Sequence, residues 1–200
     1  VEFGKLCDTI LDTADDVGAN CILMGTSAAD NIKKKIIGSN ALRIVSEAQI
    51  PVITVKRDCE LDDFTNLILL LDLSKETREK VPLAVKMAQM LGSRIKVVSF
   101  VSTDDEFVNK NLKRQSIQVQ DFIHERGVDS NVEIISLNGN SRKSAIEEFL
   151  NKNKGIALIT THQQPEIVDI ILGSFAKDVI HLAKSPVMSI IPIGVLKHES

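Results

Sequence analysis

Residues 1–57 and 136–192 read as two copies of one segment, held at a constant offset of 135 positions without a gap. Gly4 falls on Gly139, Leu23 on Leu158 and Thr26 on Thr161. Ile36-Ile37-Gly38-Ser39-Asn40-Ala41 lies over Ile171-Leu172-Gly173-Ser174-Phe175-Ala176, and Ala48, Pro51 and Val52 lie over Ala183, Pro186 and Val187. A glycine, a Gly-Ser pair and a proline kept in one register mark repeated architecture rather than compositional chance. The copies differ where a phosphate would bind, so the repeat bears on function as well as topology.

Between and within the copies, strand-like and helix-like patterns alternate. Residues 67–71 are continuously apolar, as expected of a parallel strand covered on both faces. Val81, Ala84, Val85, Ala88 and Leu91 follow at helical spacing and end at Gly92. Pro82 should bend the first turns of that helix or delay its start. Residues 95–101 form the next strand pattern, and a long polar helix over about 105–126 stops at Gly127. A third strand is predicted at 132–137. Ser144-x-x-Glu147 reads as a capping box opening a helix that carries Ala145, Ile146, Phe149 and Leu150. A strand at 156–160, a helix at 174–183 and a strand at 187–191 complete the series. Five strands separated by helices predict an α/β fold with an open, doubly wound parallel sheet.

The first copy holds only the later part of that unit: a helix near 6–17, strands at 21–24 and Val52–Val55, and a helix at 39–48. Three strand positions that should precede Val1 are not in the sequence, so the chain reads as a fragment or processed product. The organisation expected is a partial module at 1–57, an acidic linker at 58–65, a complete module at 66–193 and a tail at 194–200. Two strands make too little sheet to stand alone. The partial module must therefore lean on the complete one or on a second chain.

With 200 residues the chain can bury most of its unfolded surface. A net charge of −3, with no tryptophan or tyrosine, offers neither the basic face nor the usual stacking platforms of a nucleic-acid binder. No apolar run reaches membrane-spanning length, and no signal peptide is visible. Cys7, Cys21 and Cys59 form no CxxC pair and have no histidine at metal-ligand spacing, which favours reduced thiols in a cytoplasmic protein. No Ser/His/Asp or Cys/His arrangement can be assembled, so no catalytic residue and no metal ligand is assigned.

The chemistry lies in the loops before the two Gly-Ser pairs. Glycine lets a backbone approach an anion closely, and a helix N-terminus presents free N–H groups with about half a positive charge. Copy one reads Met24-Gly25-Thr26-Ser27-Ala28, then nine residues to Gly38-Ser39. The same residues also suit a plain helix start with serine as its cap. Taken together, these motifs resemble the universal stress protein family, whose nucleotide-binding members carry Gly, two residues, Gly, nine residues, then Gly and Ser or Thr. Gly25, Ala28, Gly38 and Ser39 fall on those positions, with Ala28 replacing the second glycine. Asp72-Leu73-Ser74 is similar to the family's Asp-x-Ser, whose aspartate meets the ribose, and Val101 matches a residue lining the adenine. The resemblance implies a sheet of order 3-2-1-4-5, like that of the adenine nucleotide alpha hydrolases. It also implies that the last strands of two modules, Val52–Val55 and 187–191, meet across a pseudo-twofold axis, either within one chain or by self-association.

Copy two departs from the pattern. Thr160 and Gln163 replace the two glycines, while Gly173 and Ser174 remain. A β-branched threonine tolerates positive φ poorly, so this loop is expected to take another shape. Lys33-Lys34-Lys35 precede the first Gly-Ser pair, whereas Glu166 and Asp169 precede the second. Each carboxylate within about 6–8 Å of a phosphate costs on the order of 1 kcal/mol per phosphate charge at an intermediate dielectric. The expected function is a cytoplasmic, dimer-forming stress-response regulatory or binding protein with nucleotide binding weak or lost in the second module. The alternatives are an ATP-binding switch that uses the first-module loop, with slow or no hydrolysis, and a pure dimerisation module. No cofactor is assigned firmly; ATP is the one the resemblance allows. No nucleic acid or membrane partner is expected.

Overall fold

The computed structural model describes residues 4–26, 38–57, 59, 65–71, 80–102, 106–160 and 174–190. Two compact units divide the chain: Val1–Cys59 with Ile159–Ser200, and Glu60–Leu158. The architecture is α/β, with mostly parallel strand pairing. The predicted linker at 58–65 and tail at 194–200 lie largely outside the described residues.

The first unit holds α1 (Leu6–Asp16), β1 (Ile22–Gly25), α2 (Ser39–Glu47), β2 (Val52–Val55), α6 (Ser174–Leu182) and β7 (Val187–Ile190). Ala41, Ile44, Val45 and Ala48 bury one face at the edge-to-edge spacing of an amphipathic helix. β1 runs parallel to β2, from Ile22 opposite Val52 to Gly25 opposite Val55. β2 pairs antiparallel with β7, and the register sets Val52 against Ser189, Ile53 against Met188 and Thr54 against Val187. Because 53 + 135 = 188, Ile53 and Met188 occupy the same position of the repeat and face each other directly. The two copies of this strand are therefore related by a local twofold axis through that pair. The Thr54 hydroxyl donates to the Val187 carbonyl at 3.3 Å, and Lys56 Nζ donates to the His181 carbonyl at 2.6 Å.

The second unit holds β3 (Asn66–Leu70), α3 (Lys80–Leu91), β4 (Arg94–Val101), α4 (Glu106–His124), β5 (Ser130–Ser136), α5 (Arg142–Lys152) and the first residues of β6 (Ile156–Thr160). β3 lies between β4 and β6 and is parallel to both, and β4 is parallel to β5. Leu67, Ile68, Leu69 and Leu70 have no exposed surface, which explains their uninterrupted apolar run. Each such side chain contributes about 1.5–3 kcal/mol by leaving water. α4 buries Leu112, Ser116, Val119 and Ile123, steps of four, three and four residues.

One local expectation is revised. The cap of α5 is Ser141, three residues earlier than the Ser144 box: its Oγ accepts the Ser144 N–H at 3.1 Å, and Arg142 is already helical. Pro82 is the third described residue of α3, and the residues before Lys80, where the expected bend or late start would show, lie outside the described residues. Gly92 and Gly127, with φ of 64° and 73°, end α3 and α4 in the left-handed conformation that glycine adopts without strain.

Candidate functional site: the β1–α2 junction

β1 ends at Gly25, and backbone hydrogen bonds tie the next residue, Thr26, to the end of β2 and to the start of α2. The Thr26 N–H donates to the Val55 carbonyl and the Gly38 N–H to the Thr26 carbonyl, both at 3.0 Å. Thr26 is buried by this closure. Gly38 is the N-cap of α2, in extended conformation (φ −62°, ψ 146°), and contributes no side-chain cap. The first intrahelical bond runs from the Leu42 N–H to the Gly38 carbonyl at 3.1 Å. The N–H groups of Ser39, Asn40 and Ala41 thus precede the helical ladder and carry the positive end of its dipole. An exposed Ser39 hydroxyl stands at the same turn. The arrangement can hold an anion through backbone donors alone.

Neighbouring side chains fix this turn rather than add charge to it. Arg43, one turn along α2, donates to Glu47 Oε1 at 2.7 Å and to Asp8 Oδ1 at 2.6 Å. The Glu47 bond, and then Asp8, hold its guanidinium well above the ordinary arginine range, so its charge is already matched. Cys7 Sγ lies 3.7 Å from Asn40 Oδ1 and 3.8 Å from the Asn40 carbonyl. That weak contact ties α1 to the opening turn of α2. The sequence assigned Cys7 no part here, and its separation from Asn40 by 33 residues left no local signal.

The remaining sequence-predicted positions scatter. Gly25, Gly38 and Ser39 are brought together at the junction just described. Ala28, Asp72 and Gly173 lie outside the described residues, as do Lys33, Lys34, Lys35, His162, Gln163, Glu166 and Asp169. Val101 closes β4, is buried, and its carbonyl accepts the Leu137 N–H at 2.8 Å. Ser174 is the first residue of α6, in the same compact unit as the junction, whereas Val101 belongs to the other. Thr160, at the end of β6, is buried with an Oγ1 that has no hydrogen-bond partner.

The argument from positive φ against Thr160 does not hold at its repeat-mate. Gly25 is not in the left-handed region, and a Cβ there would meet nothing nearer than the Val55 carbonyl at 3.9 Å. Strand geometry at this position accepts a side chain, so the substitution alone does not force another loop shape.

Among the described residues no group of three or more acidic, histidine or cysteine side chains could hold a metal ion, and no helix is long and apolar enough to cross a membrane.

The model of the universal stress protein family matches residues 1–56. No curated protein sequence matches the chain. Among solved structures, a universal stress protein from Archaeoglobus fulgidus DSM 4304 aligns over 94% of this chain and 68% of its own, with TM-score 0.73 and 20% identity. A functionally unknown protein, PA1789, from Pseudomonas aeruginosa PAO1 aligns over 98% of this chain and 71% of its own, with TM-score 0.72 and 16% identity. A universal stress protein in complex with cAMP aligns over 64% of this chain and 98% of its own, with TM-score 0.52 and 14% identity. These likenesses establish a common fold, and the segment that forms the β1–α2 junction is the part of the chain similar to the universal stress protein family.

Proposed function

We propose that this chain is a cytoplasmic regulatory, ligand-binding protein that works by occupancy rather than by robust catalysis, with an adenine nucleotide as ligand at the β1–α2 junction. The observation that carries this reading is the staple of Thr26 to Gly38, which holds an uncapped helix start against the end of a parallel strand. A universal stress protein of similar fold in complex with cAMP makes an adenine nucleotide the ligand class to test first. The lysines at 33–35 favour a polyphosphate here in charge, whereas Glu166 and Asp169 oppose one in the second copy. Calorimetric titration with ATP tests the assignment. Saturable micromolar binding that Gly38→Asp abolishes is the expected result, because the new carboxylate would stand among the phosphate donors. An absence of heat, or binding indifferent to Gly38→Asp, would refute it.

A second reading rests on the Ile53–Met188 pair. The two copies of the last strand meet inside one chain, so a pairing role is served without a second copy. Sedimentation is expected to give a single-chain species. A stable dimer at micromolar concentration would show that the strands serve self-association instead.

A further inference from the structure

The turn between β5 and α5 carries the one Asn-Gly pair of the chain, Asn138-Gly139. Asn138 has φ of 46° and Gly139 φ of 82°, so both lie in the left-handed region, which asparagine and glycine enter at the least cost. The Asn140 N–H closes the turn on the Leu137 carbonyl at 2.7 Å. The Leu137 N–H donates to the Val101 carbonyl, and Ser141 caps α5. Both ends of the turn are therefore anchored, while its tip at 138–140 is exposed.

Three features of the tip bear on its reactivity. The Gly139 N–H has no hydrogen-bond partner, so its nitrogen is not held in the backbone ladder. A Cβ at Gly139 would meet nothing within 4 Å, so the space around that nitrogen is open. The Ser136 hydroxyl donates to Asn138 Oδ1 at 2.8 Å, which polarises the side-chain carbonyl and stabilises negative charge on its oxygen. A free nucleophile and a polarised carbon joined by a few bonds have the advantage of an intramolecular reaction. The other asparagines lack this combination. Each is followed by a residue that bears a side chain, and Asn153 has its amide engaged at both ends, by the Phe149 carbonyl and by Lys96.

We propose that Asn138 is a site of spontaneous covalent modification, deamidation through a cyclic imide, with Ser136 as the polarising group. The Gly139 N–H gives its proton to solvent hydroxide, and the nitrogen attacks Asn138 Cγ. A C–N bond forms as the side-chain nitrogen takes a proton from water and leaves as ammonia. One water then opens the five-membered imide at either carbonyl. Breaking the new bond to Cγ gives aspartate, and breaking the original main-chain bond gives isoaspartate. Both products add a carboxylate to the turn. Isoaspartate also lengthens the main chain by one methylene between Leu137 and Gly139. Because the turn is anchored at both ends, that extra length loosens the Leu137 bond to Val101.

The test ages the full folded chain at mildly acidic and at mildly alkaline pH and follows each asparagine by tryptic mapping with mass spectrometry. An isoaspartyl-specific methyltransferase reports the rearranged product. Asn131, Asn138 and Asn140 fall in one tryptic peptide, so they are compared within a single species. Conversion at Asn138 should exceed that at either neighbour by at least about tenfold. It should quicken as pH rises, because the Gly139 nitrogen must lose its proton. Ser136→Ala should slow it about fivefold, and Ser136→Thr, which keeps the hydroxyl, should hold the native rate. Amide exchange at Leu137 should quicken in the isoaspartyl form. Conversion no faster at Asn138 than at Asn140, conversion confined to the chain unfolded in urea, or a rate unmoved by Ser136→Ala would each overturn the proposal.

Discussion

Replacing Gly155 with alanine should damage this protein more than a change of one methyl group suggests. Gly155 precedes β6 with φ of 143°, a conformation that side-chain-bearing residues rarely adopt. An added Cβ would overlap the Asn66 carbonyl oxygen and lie 2.9 Å from Asn66 Cβ and 3.1 Å from its carbonyl carbon. Two of those three atoms are backbone, so the clash cannot be relieved by a rotamer change. Asn66 opens β3, and the next residue, Leu67, pairs with Ile156. The new methyl therefore wedges the β3–β6 pair apart at its first rung. Backbone strain of this kind costs about 1–3 kcal/mol, and forced displacement of packed atoms costs about 1–3 kcal/mol more. A loss of about 3 kcal/mol is expected, equivalent to roughly 6–12 °C in thermal midpoint for a chain of this size. Urea unfolding followed by circular dichroism measures it, and amide exchange at 67–69 locates it. Gly25→Ala is the matched control. With ordinary φ and open space around it, alanine there should be neutral or stabilising by up to about 1 kcal/mol through the unfolded state. A Gly155→Ala loss below about 1 kcal/mol, or equal effects of the two substitutions, would refute the reasoning.

Ser141→Ala removes the hydroxyl that accepts the Ser144 N–H and should cost about 1 kcal/mol, whereas Ser144→Ala should cost less, because Ser144 is not the cap; chemical denaturation of the pair separates them. Ser189→Ala should be neutral or stabilising by up to about 1 kcal/mol, since its buried hydroxyl has no partner, while Thr54→Val at the matching repeat position should destabilise by about 0.5–1.5 kcal/mol through loss of the bond to Val187. The same unfolding assay reads both, and a reversed order would contradict the pairing geometry.

Element positions were legible in the sequence because burial and periodicity coincide here. Residues 67–71 are apolar without interruption because both faces of β3 are buried, and Val81, Ala84, Val85 and Ala88 share one buried face of α3. The cap of α5 was misplaced because Ser141 and Ser144 are chemically alike, and the backbone geometry that selects Ser141 has no sequence signature. The glycine at 25 looked essential by motif, yet its backbone is ordinary; the one at 155 carried no motif, yet its φ and its approach to Asn66 leave no room for a side chain. At the candidate site, the positions of Gly25, Gly38 and Ser39 were readable from spacing. The staple through Thr26 was not, because it depends on where the Val55 carbonyl stands.

The sequence by itself determined that the same turn, helix-start and strand residues recur at a register of 135 positions. Tertiary structure alone decided what each copy meets. β2 and β7 close on each other through Ile53 and Met188, whereas Leu158 is covered and its mate Leu23 is left in water. Equivalent residues differ in this way because burial depends on the strands and helices packed around a position, and a local pattern of apolar residues is the same whether or not those neighbours are there.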